Sequence, residues 1–200
     1  RDVIGDDLDL RPLVAVLGLP GALLEAAVDH HAHALAQGLG DVLGQLAPAG
    51  DVEEGGLLLG LAEPIHTGIV EVWGVDRKGG MELALGRALL TRFAADAERS
   101  VILLEDAVAA MQARALELAG KTRQHAPTVD SPTVVVLIDE LAALTAYETD
   151  RDLLRRANAA LAILASQGRA VGFIVFACLQ DPRKETLPAR GLFTQMVGLR

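Results

Sequence analysis

Two adjacent acidic residues follow the most apolar run in the sequence and carry its clearest chemical signal. Asp139 and Glu140 come directly after Thr133–Ile138, which reads TVVVLI. In a parallel sheet, such a strand is covered on both faces, and its carboxyl end opens into the crevice where α/β sheets bind ligands. Two acids there suit nucleotide hydrolysis, with Asp139 holding Mg2+ through its water shell and Glu140 polarising the attacking water. The alternative is that charges simply mark the exit of a hydrophobic strand.

A single amide follows the next long apolar run. Gln180 comes directly after Val171–Leu179, so it is predicted to lie at a strand's carboxyl end as well. Because neighbouring strands of a sheet lie about 5 Å apart, the amide would stand near the two acids and could hydrogen-bond a water or a terminal phosphate. The alternative is a loop residue that caps the Asp181-Pro182 turn.

The elements that must position these residues alternate between strands and helices. Besides the two runs above, strands are predicted at Ile69–Val75, Met196–Leu199 and, near the start, Leu13–Leu17. Helical spacing of apolar residues predicts one helix from Val101 to about Gly120, and a capping-box start at Thr149-x-x-Asp152 predicts another that ends at Gly168. This alternation predicts an α/β fold with a parallel sheet.

Composition and charge exclude several classes of protein. The chain of 200 residues is 51% hydrophobic and only 22% charged, so it is not a charge-driven disordered segment. Its net charge of −9 lacks the basic field of an autonomous nucleic-acid binder. A single cysteine, Cys178, excludes an intrachain disulfide. The longest uncharged apolar stretch, Leu13–Leu24, is far shorter than the 20 or so residues of a membrane span, so a cytoplasmic location is expected.

Three segments together resemble the FtsK/SpoIIIE family of DNA-translocating ATPases, in the versions of actinobacterial cell division and plasmid transfer. They read VEVWGVDRKGGMELALGR at 70–87, VVVLIDELAALTAY at 134–147 and SQGRAVGFIVFACLQDPRKETLP at 166–188. The resemblance implies a RecA-like P-loop NTPase core, with a mostly parallel sheet flanked by helices and incomplete at both ends. It further implies ATP and Mg2+ as cofactors, a homo-hexameric ring, and double-stranded DNA as a sequence-independent partner.

The resemblance also assigns roles by motif position. Asp139 and Glu140 match the family's Walker B pair, and Gln180 matches the polar residue that ends the next strand. Arg169 lies in the family's Gly-Arg-Ala-x-Gly stretch. It would act across a subunit boundary on a neighbour's phosphates or cap its own helix, and the helix dipole favours the cap.

Two further residues match the family's Asp-x-Lys-Gly-Gly segment. Asp76 and Lys78 follow the predicted strand 69–75 and are expected near the nucleotide, as cofactor-binding residues. A turn explains the two glycines, Gly79 and Gly80, equally well.

The family's phosphate-binding loop, a Gly-rich segment ending in Gly-Lys-Ser/Thr, has no match in the sequence. The acidic stretch Asp51–Gly56 stands where that loop is expected and would repel a triphosphate. Gly18-Leu19-Pro20-Gly21 follows a possible strand but contains no lysine. Residues 1–55 carry ten acids against two bases, whereas residues 56–200 carry 17 acids and 16 bases. We therefore interpret 1–55 as a poorly patterned acidic segment unrelated to the motor, and 56–200 as a partial FtsK-type ATPase domain in a fragmentary chain.

Weaker candidates lie outside these motifs. His30, His31 and His33 suggest a metal site, but clustered histidines in such a segment are usually solvated. Arg183 and Lys184 are candidate DNA contacts. A basic helical start with three arginines is another, although interleaved acids favour a salt-bridged surface: Arg151, Arg155 and Arg156.

Three functions follow as expectations. The first is an incomplete motor domain that does not hydrolyse ATP alone. The second is a non-catalytic assembly or interaction subunit that keeps the sheet and a ring-forming surface. The third is a generic α/β domain in which Asp139 and Glu140 are coincidental, and a structure with Asp139 and Gln180 on distant strands would support it.

Overall fold

The computed structural model describes residues 61–84, 86–180, 191 and 193, and it also gives the backbone of two strands at Leu13–Val16 and Gln195–Gly198. Six strands form one sheet: β1 (Leu13–Val16), β2 (Val70–Val75), β3 (Arg92–Ala94), β4 (Thr133–Ile138), β5 (Phe173–Leu179) and β6 (Gln195–Gly198). Their order across the sheet is β3-β2-β4-β5-β1-β6. The strands β3, β2, β4 and β5 run parallel, whereas β1 is antiparallel to both of its neighbours. The predicted α/β fold with a mostly parallel sheet is confirmed.

In the described part of the chain, three α-helices have both of their ends described: α1 (Ala97–Leu118), α2 (Ala142–Thr145) and α3 (Arg151–Gln167). Residues 61–66 are also helical, and short 3-10 helices occupy Arg87–Leu89 and Gly168–Val171. Helix α1 begins one turn before the predicted Val101, because its first turn is polar and gives no apolar periodicity. The Asp96 side chain caps that turn by accepting from the Arg99 N–H.

The start of α3 differs by one residue from the prediction. Asp150, not Thr149, is the N-cap, and its carboxylate accepts the N–H groups of Asp152 and Leu153. Both Asp and Thr are good caps, and here the Asp150 carboxylate is the side chain that reaches the N–H groups of the first turn. The helix ends at Gln167, next to the predicted stop at Gly168.

The apolar run of β4 is buried on both faces of the sheet, as its sequence predicts. Val134, Val136 and Ile138 pack in the core that lies under α1 and α3. The alternate residues Val135 and Leu137 pack on the opposite face, in the core that includes Leu61, Leu83 and Leu90. A parallel strand covered on two faces has no polar side to show, and this explains the uninterrupted hydrophobic sequence.

The strand β5 begins two residues later than predicted. Val171 belongs to the 3-10 turn Gly168–Val171, and Gly172 then adopts a left-handed conformation with φ of 74°. The strand therefore starts at Phe173 and ends at Leu179, directly before Gln180.

The strand β1 comes from the segment that the sequence sets apart from the motor. It lies between β5 and β6, with Leu13 opposite Leu179 and Val16 opposite Phe176. Because β1 is antiparallel to β5, its carboxyl end lies beside the amino end of β5. The boundary at residue 55 stays a prediction, although one strand from before it pairs within the sheet. Within the described part of the chain, no helix has the length and apolar character needed to cross a membrane.

Candidate functional site

The candidate site lies where parallel strands end side by side. Ile138, the last residue of β4, pairs with Val75 of β2 and with Ala177 of β5. The residues that follow these strands therefore emerge at one edge of the sheet, here called the carboxyl edge. They are Asp76 after β2, Asp139 and Glu140 after β4, and Gln180 after β5. Asp139 and Gln180 follow adjacent strands, so the observation that would support the generic-domain alternative is not made.

Asp139 is buried at this edge, with a side chain only 2% exposed. Its N–H donates to the carbonyl of Val75 at 3.0 Å, which continues the β2–β4 ladder by one residue. Its Oδ2 lies 3.5 Å from the Lys78 ammonium. Such a counter-ion stabilises a buried carboxylate, because taking an isolated charge out of water costs on the order of several kcal/mol.

The ammonium of Lys78 contacts two carboxylates. Its Nζ is 3.5 Å from Asp139 Oδ2 and 3.5 Å from Glu82 Oε1. Partial burial alone would lower the pKa of Lys78, but the carboxylates of Asp139 and Glu82 outweigh it, and the pKa lies above its ordinary value. The sequence places Lys78 near the site, and the structure shows that it contacts Asp139.

Asp76 differs from Asp139, because both of its carboxylate oxygens accept hydrogen bonds from N–H groups of its own loop. Oδ1 accepts the Lys78 N–H at 2.9 Å, and Oδ2 accepts the N–H groups of Glu82 and Leu83 at 2.9 and 3.0 Å. The side chain is fully buried. Asp76 therefore shapes the loop that carries Lys78, and a direct contact with a cofactor stays a prediction.

The two glycines of this loop form the tight turn that is the alternative to a cofactor-binding role. Gly79 and Gly80 both have positive φ, at 79° and 83°. A side chain at Gly80 would also meet the ring of Phe93 at 3.1 Å. Only glycine adopts this backbone without strain, so the turn explains the pair.

Glu140 is buried and held by the chain that follows it. Its Oε1 accepts the Ala142 N–H at 3.1 Å, and the next N–H, that of Leu141, donates to the Cys178 carbonyl of β5 at 3.0 Å. These bonds fix the carboxylate beside the end of β5. Gln180, one residue beyond β5, is exposed at the same edge.

Arg169 lies at the other edge of the sheet. It is exposed in the 3-10 turn before β5, so the length of that strand, about 20 Å, separates it from Gln180. Its turn is held by neighbours: the His125 N–H donates to the Ala170 carbonyl at 2.8 Å and Arg114 Nη1 to the Val171 carbonyl at 3.1 Å. Within one chain, Arg169 does not join the carboxyl edge.

An ion pair that the sequence did not predict involves the loop that follows β2. Arg77 Nη2 donates to Glu148 Oε2 at 3.1 Å, and both side chains are largely buried. Glu148 Oε1 also accepts the N–H groups of Thr149 and Asp150. Because the partners are 71 positions apart, no local pattern could pair them.

The basic helical start is a salt-bridged surface, as the interleaved acids favoured. Arg155 donates to Asp152 at 2.7 Å, and Arg156 forms a two-pronged pair with Glu105 of α1 at 2.8 and 2.7 Å. The remaining candidates lie outside the described residues: Gly18–Gly21, His30, His31, His33, Asp51–Gly56, Arg183 and Lys184.

Among the described residues of the carboxyl edge, Asp139 offers a hard oxygen ligand to a divalent cation. Asp139 fits an ion that keeps most of its own water, as Mg2+ does, because a single carboxylate is then sufficient. Among the described residues, no group of three or more His, Cys, Asp or Glu side chains could enclose a metal. The chemistry available is that of an acid pair and an amide beside a lysine.

Comparison with known proteins identifies the fold and no family. Neither the protein-family models nor the curated proteins give a match. Among solved structures, the chain is similar to the conjugation coupling protein TcpA of pCW3, in a monomer form with ATPγS. The TM-score is 0.55 at 22% sequence identity, and the match covers 70% of this chain. It spans 42% of the TcpA chain, so the likeness concerns less than half of that protein.

Proposed function

We propose that the chain is part of an FtsK/SpoIIIE-type motor domain, which uses ATP to move double-stranded DNA in conjugative transfer, chromosome partition or cell division. The observation that supports this most is the placement of Asp139, Glu140 and Gln180 at the ends of adjacent parallel strands. The fold shared with a conjugation coupling protein points the same way. The motor would act in the cytoplasm.

The three residues suit different parts of phosphoryl transfer. Mg2+, when bound, would neutralise charge on the phosphates, and Asp139 is the residue that would hold it. Glu140 would accept a hydrogen bond from the attacking water, since its carboxylate is already oriented by the Ala142 N–H. Gln180 is exposed at the same edge, where its amide would bind the water or the terminal phosphate.

Arg169 would complete the site of a neighbouring copy. Because it lies at the opposite edge from Glu140, its action on a phosphate requires the carboxyl edge of one subunit to face the Arg169 edge of the next. Such a head-to-tail contact closes into a ring when the rotation allows, as in the homo-hexamer that the family resemblance implies.

The chain alone should not hydrolyse ATP at a measurable rate. The backbone cradle and lysine of a Gly-Lys-Ser/Thr loop supply the main ground-state contacts to phosphates, and the sequence contains no such loop. The check is a phosphate-release assay with Mg2+ and ATP on the full chain and on Glu140→Gln. Turnover in the wild type that is lost in Glu140→Gln would contradict this expectation.

A mixing experiment tests the motor proposal itself. The full chain is added to an intact FtsK-type motor domain, and DNA-stimulated ATP hydrolysis is measured. If the chain contributes motor residues, the rate should change on mixing, and the change should be reduced by Glu140→Gln and by Arg169→Ala. Arg123→Ala, which removes another exposed arginine, is the matched control.

The same experiment separates the alternative, a non-catalytic assembly subunit derived from that motor. Such a subunit would bind the intact motor through its surface without using either catalytic position. A change of rate that persists unaltered in both Glu140→Gln and Arg169→Ala would favour the assembly subunit and contradict the motor proposal.

A further inference from the structure

The buried carboxylate of Asp139 has an ammonium beside it. The Asp139 side chain is 2% exposed, and Lys78 Nζ lies 3.5 Å from its Oδ2. The Lys78 side chain itself is 38% exposed, so the lysine reaches solvent while the carboxylate that it contacts does not. A divalent cation that binds Asp139 must therefore compete with this ammonium.

The loop after β2 holds the backbone of Lys78 in a fixed position beside Asp139. Asp76 and Asp139 follow the paired residues Val75 and Ile138, so they emerge side by side from β2 and β4. Asp76 accepts the backbone N–H of Lys78, which fixes the point where the lysine side chain starts. Any residue except proline at position 78 keeps this N–H, so the loop does not depend on the lysine side chain.

A second carboxylate is ready to receive the ammonium. Glu82 Oε1 is also 3.5 Å from Lys78 Nζ, and the Glu82 side chain is 28% exposed, far more than that of Asp139. The Glu82 N–H is held by Asp76 in the same loop. Lys78 can therefore leave Asp139 and remain paired, which lowers the free energy needed to expose the buried carboxylate.

We propose that Lys78 is an internal counter-ion that occupies Asp139 in the absence of a divalent cation and moves onto Glu82 when the cation binds. The proposal rests on the proposed function in one respect, that Asp139 is the carboxylate that meets the metal. It adds a competition between lysine and metal that controls access to this residue.

The test is a titration of the full chain with Mn2+, in which the free ion is followed by electron paramagnetic resonance. Lys78→Met should bind Mn2+ about tenfold more tightly than the wild type, because the competing charge is gone. The control Lys121→Met, at an exposed lysine beyond α1, should leave the affinity unchanged. Adding Asp139→Asn to Lys78→Met should abolish the gain.

Two results would overturn the proposal: an equal or weaker affinity in Lys78→Met, or a gain that survives Asp139→Asn. A second measurement covers a Lys78→Met chain that does not fold. With 13C-labelled lysine, the ε-methylene signal of Lys78 should shift on addition of Mg2+, while that of Lys121 should not. No shift of the Lys78 signal would contradict the exchange. Neither measurement alters Glu140, so the outcome is independent of the mixing experiment.

Discussion

Single residues at the carboxyl edge are constrained by the bonds that they already make. Asp76 is fully buried and binds three backbone N–H groups, and Glu140 accepts the N–H of Ala142. Carboxylates in such positions orient the loops that follow their strands. The acid at the end of β2 therefore contributes to the site through the position of Lys78.

Replacement of Asp76 should destabilise the fold. Asp76→Ala leaves three N–H groups without their acceptor, and a loss of about 3 kcal/mol in the free energy of unfolding is expected. Asp76→Asn keeps one acceptor oxygen and should cost about 1 kcal/mol. Urea unfolding followed by circular dichroism measures both. Equal stability of Asp76→Ala and the wild type would show that the loop does not depend on this carboxylate.

His125 should make the stability depend on pH. Burial and the charge of Arg114 lower the pKa of His125 below its ordinary value of 6.5, despite an opposing bond to Ser131. The folded state therefore favours the neutral ring, while the unfolded chain binds the proton more readily. Stability is full above 6.5, falls as the pH drops from there through the folded pKa, and is constant below it.

The test for His125 compares how the free energy of unfolding depends on pH in two chains. The free energy of unfolding is determined from about pH 8 to about pH 5 for the wild type and for His125→Gln, which cannot titrate. The wild type should lose more stability on acidification. Identical pH profiles would mean that His125 has the same pKa in both states.

At the scale of elements, the turn between α3 and β5 depends on close packing against another loop. Gly172 has a φ of 74°, and its backbone lies against the ring of His125, so an added Cβ would overlap that ring. Its carbonyl also accepts the Val134 N–H at 2.9 Å and thus joins the turn to β4. This turn carries Arg169, so its geometry sets the position of that arginine.

A pair of glycine substitutions separates backbone strain from packing. Gly79→Ala adds a methyl group in open space at a φ of 79°, so only strain of about 1 kcal/mol is expected. Gly172→Ala adds the same strain and a clash with His125, and should cost more than about 2 kcal/mol. Thermal unfolding of both variants gives the comparison. A smaller loss for Gly172→Ala than for Gly79→Ala would refute the packing argument.

At the scale of the whole molecule, the two edges of the sheet carry complementary chemistry. Glu140 and Gln180 lie at the carboxyl edge, and Arg169 lies at the other. If Arg169 serves a neighbour's site, copies of the chain associate through unlike faces. A two-fold contact, which joins like faces, would not bring these residues together.

Cysteine cross-linking distinguishes the two arrangements. A mixture of Arg169→Cys and Gln180→Cys chains, in an assembly on DNA with an intact motor, should form disulfides between unlike variants. Each variant alone should form few, and the native Cys178 is buried and serves as background. Mass spectrometry of non-reduced peptides identifies the pairs. Efficient pairing of Arg169→Cys with itself would contradict a head-to-tail contact.

The sequence by itself determined three of the parallel strands and the order of the chemistry along the chain, but it did not predict β3. Continuous apolar runs predicted β2, β4 and β5 to within two residues, because strands buried on both faces must be apolar throughout. The same runs placed Asp139, Glu140 and Gln180 at strand ends, since these polar residues are the first to interrupt each apolar run. Helix starts were less certain, because Asp96 and Asp150 cap polar first turns that lack periodicity.

Only the tertiary structure decided which of these ends meet and what each side chain contacts. The order of the strands, the antiparallel β1 and the pairing of Lys78 with Asp139 depend on residues far apart in sequence. The ion pair of Arg77 with Glu148 and the placement of Arg169 at the opposite edge are of the same kind. Local patterns report the burial of a segment, whereas the partner of a buried group is set by the packing of the whole sheet.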